Sequence, residues 1–303
     1  MNSSMEEDYN IQRLSLTVAV GISFLTGLMV NGFIVAVNIT DWMKRSPITA
    51  TDQILTSLGI ARMFCLSASL FDFFSQVLLI NVPIIFYIIV ENIWNIFFYT
   101  GILLSTLLSV VYCLKISNFH NDFFLRMKII ILQRVAHLII ACFLGSICYN
   151  SLFYMPTSFE FPKNSTNEEF KQGNDELRLY IFLLGNIVPF LIFFISSFLL
   201  IISLCHHMYG MRHDRTVTGH LDTYYKTIRF LTFSSFSYVL FLIAILTLGL
   251  YQTSIDILGF DFIFNAFPTL NSIYMIYVTI KLRTRFSGII HHGISCLFNR
   301  KHS

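Results

Sequence analysis

Residues 14–37 read LSLTVAVGISFLTGLMVNGFIVAV, and the run stays free of charge to residue 40. At a helical rise of about 1.5 Å per residue, such a stretch spans the ~30 Å hydrocarbon core of a bilayer. It is apolar on every side. The one-sided stripe of a surface helix does not fit it, and neither does the alternation of a barrel strand. Six further runs follow at 54–80, 93–116, 129–153, 179–204, 230–250 and 258–280. Arg62 and Asp72 interrupt the second, Arg134 and His137 lie near the start of the fourth, and the seventh holds one acid, Asp261. The segment 81–92, NVPIIFYIIVEN, is apolar but short, and Pro83, Glu91 and Asn92 fence it. It reads as an outer loop or as an extension of the second or third span. The fold class expected is an all-α membrane protein, a bundle of seven transmembrane helices forming a single domain over 1–303 with a tail at 281–303.

Composition agrees. Of 303 residues, 55% are hydrophobic and 12% charged, about half the charge of a soluble domain. Too few polar side chains remain to cover a globule, which excludes a soluble enzyme, a nucleic-acid-binding domain and a disordered chain. Six cysteines are too sparse for a disulfide framework. The first 13 residues carry Glu6, Glu7 and Asp8 and no signal-peptide pattern, so the first span is expected to act as its own insertion signal.

Basic residues set the orientation. With the N-terminus outside, inner segments hold 15 Lys and Arg and outer segments hold 4, with Arg62 within the membrane. The reverse topology would invert that bias, so N-out, C-in is expected. The sequons Asn2-Ser3-Ser4 and Asn164-Ser165-Thr166 then fall outside, which makes Asn2 and Asn164 glycosylation candidates. An odd number of spans argues against transporters built from paired repeats. The seventh span has no Lys for a retinal chromophore, and no zinc motif, Ser/His/Asp set or phosphate loop is present. No enzyme, metal or cofactor is expected. A receptor with an outer ligand site and a basic inner face remains, with a transporter or channel as the alternative from a different class.

Short motifs then line up in order. They are Asn31-Gly32-Phe33-Ile34-Val35, the segment Asn38 to Lys44 with Asp41 and Trp42, Thr51-Asp52 to Thr56, and Ala61-Arg62. Further on come Leu108-Ser109-Val110 to Phe119, Leu200 to His207, and Pro268 with Asn271-Ser272 and Lys281-Leu282-Arg283. From about residue 31 to 286 the chain resembles the bitter-taste receptor family, taste receptor type 2. It departs from the family pattern at Phe98, Asn271 and Thr279, and in the spacing of His220 and Lys226. The resemblance implies a multi-pass receptor of the plasma membrane that binds bitter small molecules between its helices. It implies coupling to a heterotrimeric G protein, with a gustducin-type Gα and βγ. A chemosensory receptor outside the taste system is the alternative within the same fold.

The resemblance also assigns residues. Trp94, Phe98 and Asp261 would line the ligand pocket, with Tyr238 as a further candidate. Trp and Phe offer flat apolar walls, and an aspartate offers an anion to a ligand amine or hydroxyl. On chemistry alone, Trp94 also reads as an interfacial anchor, Phe98 as ordinary packing and Asp261 as a solvated rim. Asn31, Arg62 and Ser272 would form a network between helices. Arg62 lies about two turns inside its span, where its five donors could meet several acceptors, or its side chain could snorkel to the headgroups. Tyr112, Lys115, His207, His220 and Lys281 would face the G protein. None of the cysteines lies in an outer loop, and Cys296, in the apolar 289–298 segment, is a palmitoylation candidate. The tail segment 286–298 is expected to lie as an amphipathic helix on the inner leaflet.

Overall fold

The computed structural model describes residues 2–78, 82–116, 122–158, 168–211, 218–250 and 257–299. Among them every regular element is an α-helix. The order is α1 (Asn2–Met43), α2 (Ala50–Val77), α3 (Ile84–Ile116), α4 (Asp122–Gln133), α5 (Val135–Ser158), α6 (Glu168–Met211), α7 (Thr218–Leu250), α8 (Ile257–Val278) and α9 (Ile280–Asn299). Lipid offers no hydrogen bonds to the backbone, so an apolar run this long is stable only where each carbonyl is paired within its own helix. Among the described residues six stretches are long and apolar enough to cross a bilayer: Leu14–Met43, Ala50–Ser75, Ile84–Ile116, Val135–Leu152, Tyr180–His206 and Tyr225–Ala244. The chain is a multi-pass membrane protein.

Three of the expected segments differ from the helices observed. Residues 84–92 are the first turns of α3, so that part of the 81–92 segment extends the third span. Pro83, which lacks an N–H, sits just ahead of that start, where its carbonyl accepts from Phe86 N at 2.9 Å. The 129–153 run divides at Arg134 into α4 and α5. α4 carries Asp122, Arg126 and Lys128 among apolar residues and is only 12 residues long, and the stretch able to cross begins at Val135. Turn-to-turn bonds persist across the division, from Arg134 N to Ile130 O and from Leu138 N to Arg134 O, both 3.1 Å, so the chain bends there without unwinding. The last run ends in a similar junction at Thr279, beyond which the tail is α9. Phe286, Ile289 and Ile290 of α9 are exposed.

The helices group into two compact units, one of Met1–Ile48 with Leu204–Ser303 and one of Thr49–Ser203. In the first, α8 packs against α1 and α7, and α9 packs against α8 and α1. In the second, α3 lies against α2, α4 and α5, and α2 also meets α5.

The connection from α1 to α2 is built from capping chemistry. Ser46 N donates to Asp41 O at 3.1 Å and Arg45 N to Trp42 O at 3.0 Å, the paired bonds of a Schellman stop. That stop needs a left-handed residue, and Arg45 supplies it at φ 56°. Thr49 and Asp52 then open α2 with a reciprocal capping box, each side chain accepting from the other's backbone N–H at 3.2 Å. Removing the strain with Arg45→Gly is expected to stabilise the protein by about 0.5–1 kcal/mol. Thr49→Ala is expected to cost about 1 kcal/mol. Thermal unfolding of the detergent-purified protein checks both signs.

Candidate functional site

In the second unit a band of aromatic and hydroxyl groups lines α3. Trp94 and Phe98, one turn apart, stack at 4.8 Å between centroids and 8° between planes. The Trp94 indole Nε1 donates to Ser69 Oγ of α2 at 2.8 Å, which fixes the ring edge and leaves the stacked pair half-buried. On a neighbouring face Phe97 stacks on Phe64 of α2 at 4.6 Å and meets Phe143 of α5 at 5.8 Å. Asn150 of α5 donates to Asn92 Oδ1 at 2.8 Å, a further polar tie to α3.

The side of α3 toward α6 repeats at Tyr99, Thr106 and Ser109. The Tyr99 hydroxyl donates to Gly185 O at 2.6 Å, and its ring stacks on Tyr149 of α5 at 4.0 Å. Thr106 Oγ1 lies 3.3 Å from Pro189 O. Ser109 Oγ shares hydroxyl bonds with Ser196 at 2.8 Å and Ser197 at 2.9 Å. Sequence reasoning missed this seam. Its signal was present in polar positions seven and three residues apart on an apolar helix and in the hydroxyl pair Ser196-Ser197 of a span that carries no charge.

In the first unit the structure brings together Asn31 and Ser272. Ser272 Oγ donates to Asn31 Oδ1 at 2.9 Å, and Asn31 Nδ2 donates to Gly27 O at 2.8 Å. Both residues are buried. Arg62 is half-buried on α2, in the other unit. At the far end of α1, Asp41 is bracketed by Lys281 Nζ at 3.0 Å and Arg285 Nη2 at 3.2 Å. Lys281 Nζ also donates to Asn38 Oδ1 at 3.0 Å. Lys281 is therefore engaged inside its own chain, a pairing that the sequence reading did not include. Lys226 of α7 lies 5.8 Å from the Tyr277 ring centroid, within cation–π range.

The remaining candidates are scattered. Tyr238 is half-buried on α7 and Tyr112 half-buried near the end of α3, while Lys115 is exposed in the last turn of α3. Asp261, His207 and His220 belong to α8, α6 and α7, and Asn2 and Cys296 to α1 and α9; their side chains lie outside the described residues. Asn164 lies outside them altogether. Trp94 and Phe98 thus meet, whereas Tyr238 and Asp261 belong to the other unit. Among the described residues no group of three His, Cys, Asp or Glu could hold a metal ion.

The family model for taste receptor protein (TAS2R) matches residues 9–293. The chain belongs to that family. It is similar to taste receptor type 2 member 43 of Homo sapiens, 28% identical over 287 residues, covering 88% of this chain and 90% of the relative. Member 50 of Macaca mulatta is 28% identical over 295 residues, covering 90% of this chain and 95% of the relative. Member 43 of Papio hamadryas is 33% identical over 208 residues, covering 65% of each. Taste receptors are not enzymes, and neither is this one.

Within this taste receptor the Asn31–Ser272 bond joins helices 241 residues apart in sequence. Ser272→Ala would leave Asn31 Oδ1 buried without that donor. The expected loss is about 1 kcal/mol, toward the lower end for a buried group because a helix unfolded in lipid finds other partners. Thermal unfolding of the purified receptor measures it. The exposed Arg285→Ala should cost less and lose its effect in high salt.

Proposed function

We propose that this receptor crosses the plasma membrane seven times, with the N-terminus outside and the C-terminus inside, and detects bitter small molecules. α8 is the seventh span, and the single domain is the whole helix bundle with its tail. Agonist binding activates a heterotrimeric G protein containing a gustducin-type Gα with βγ. The observation that carries the reading is membership of the taste receptor family over nearly the whole chain. The stacked Trp94–Phe98 pair supports it, because a flat, half-buried aromatic shelf suits a largely apolar small molecule.

In this mechanism the agonist lies against Trp94 and Phe98, and Tyr238 and Asp261 are the further ligand-binding residues that the family resemblance implies. It stabilises the conformation whose inner crevice is open. Tyr112, Lys115, His207, His220 and Lys281 meet the G protein there. Arg62, Asn31 and Ser272 are the interhelical-network residues that the resemblance implies, Asn2 and Asn164 carry glycans outside, and α9 rests on the inner leaflet, with Cys296 as a palmitoylation site.

A calcium-response screen with a panel of bitter compounds, run with and without a gustducin-like Gα, tests the reading. Responses are expected only when the Gα is present. Substrate flux in its absence would overturn it. Trp94→Ala is expected to raise the half-maximal agonist concentration about tenfold at unchanged surface level, the cost of one lost stacking wall. Arg62→Ala is expected to abolish signalling or surface delivery, read by concentration–response and surface labelling. Epitope tags at the two ends check the topology on intact cells, where antibody should reach the N-terminal tag alone.

A further inference from the structure

Pro189 lies inside α6 and has no N–H. In an unbroken helix the amide at 189 would bond the carbonyl at 185, so Pro189 takes the usual donor from Gly185 O. That carbonyl is nevertheless paired: the Tyr99 hydroxyl of α3 reaches it at 2.6 Å. Tyr99 is buried and its ring is clamped by Tyr149. A Cβ on residue 185 would run into that same Tyr149 ring, so only glycine lets the two tyrosines close on the carbonyl. One turn further, Thr106 Oγ1 is within reach of Pro189 O at 3.3 Å. All of these groups belong to the Thr49–Ser203 unit.

We propose that Tyr99 is a positioning residue for α6: its hydroxyl replaces the hydrogen bond that Pro189 removes, so the bend of α6 is set from α3. A proline helix with an unpaired carbonyl in lipid is free to bend over a range of angles, because the lost bond no longer selects one. An outside donor on a clamped ring selects one. Tyr99 directly follows Phe98 in sequence, so a shift of the Trp94–Phe98 face moves the hydroxyl and with it the preferred bend. That last step rests on the proposed ligand site, whereas the bend device itself does not.

The test therefore uses no ligand and no G protein. Spin labels on unnatural side chains at Ile140 of α5 and Phe198 of α6, both exposed, report the distance across the unit in full-length receptor in lipid nanodiscs. Phe198 lies nine residues beyond Pro189, about 14 Å along the helix, so a swing of about 20° moves it by about 5 Å. Tyr99→Phe keeps the ring and removes the hydroxyl. It is expected to shift or split the distance distribution by about that amount. Pro189→Ala restores an N–H to Gly185 O, and in that background Tyr99→Phe is expected to change nothing. Should Tyr99→Phe alone yield too little folded receptor, recovery of yield in the Tyr99→Phe/Pro189→Ala double variant is the supporting result. An unchanged distribution in Tyr99→Phe, an equal change in both backgrounds, or a double variant that fails like the single one would overturn the proposal. Agonist responses in the bitter-compound screen read the ligand site separately, so failure of one does not imitate failure of the other.

Discussion

Inside a bilayer no water competes for hydrogen bonds, and each polar group in this chain must find its partner within protein. Most do so on the spot. Thr100 bonds Ile96 O, Ser105 bonds Gly101 O, Ser146 bonds Cys142 O and Asn186 bonds Phe182 O, each one turn back along its own helix. Such bonds cost the fold nothing and say nothing about which helices meet. The informative groups are those that leave their own helix: Trp94 to Ser69, Tyr99 to Gly185, Ser109 to Ser196 and Ser197, Asn150 to Asn92, and Ser272 to Asn31. With no hydrophobic drive between helices in lipid, these contacts and the close approach of small residues choose helix neighbours.

The two intrahelical prolines with described surroundings follow the same logic. Pro189 frees a carbonyl that a tyrosine from α3 occupies. The Pro268 carbonyl of α8 lies 3.1 Å from Ser272 Oγ, the hydroxyl that also reaches Asn31 of α1. In both cases a proline stands within one turn of the residue through which its helix bonds a neighbour. The weak point of each helix is thereby tied to another helix, so flexibility there is coupled to packing and is not local.

How much of this was legible in the sequence follows from the same physics. Span positions were readable because apolarity on every side is a property of a contiguous window. The division at Arg134 and the start of α3 at Ile84 were harder, since a helix runs past the edge of its apolar window wherever its backbone bonds continue. The pairings were not readable from spacing alone. Tyr99 and Gly185 stand 86 residues apart, and nothing local marks a tyrosine that donates to a carbonyl from one that anchors at an interface. Asn31 and Ser272 were named through a family resemblance, and the geometry that joins them is a tertiary fact. Trp94 and Phe98 share a face by helical period, so their contact was legible; their Ser69 partner was not.

The ion pairs of Asp41 show why a count of basic residues says little about the role of any one of them. Asp41 stands two residues before the end of α1, where the carbonyl end of the helix dipole disfavours an acid. Its position is tolerable because Lys281 and Arg285, one turn apart on α9, bracket it. Each of the two cations then serves two ends: it offsets an unfavourable acid on α1 and fastens the first two turns of α9 to that helix. Phe33 and Phe286 meet edge-on at 5.5 Å alongside, so the ionic contact has an apolar companion less exposed to screening by salt. A basic residue held in this way is part of the scaffold first. Loss of the Asp41 carboxylate would remove a contact from both cations at once, so the two ion pairs stand or fall together.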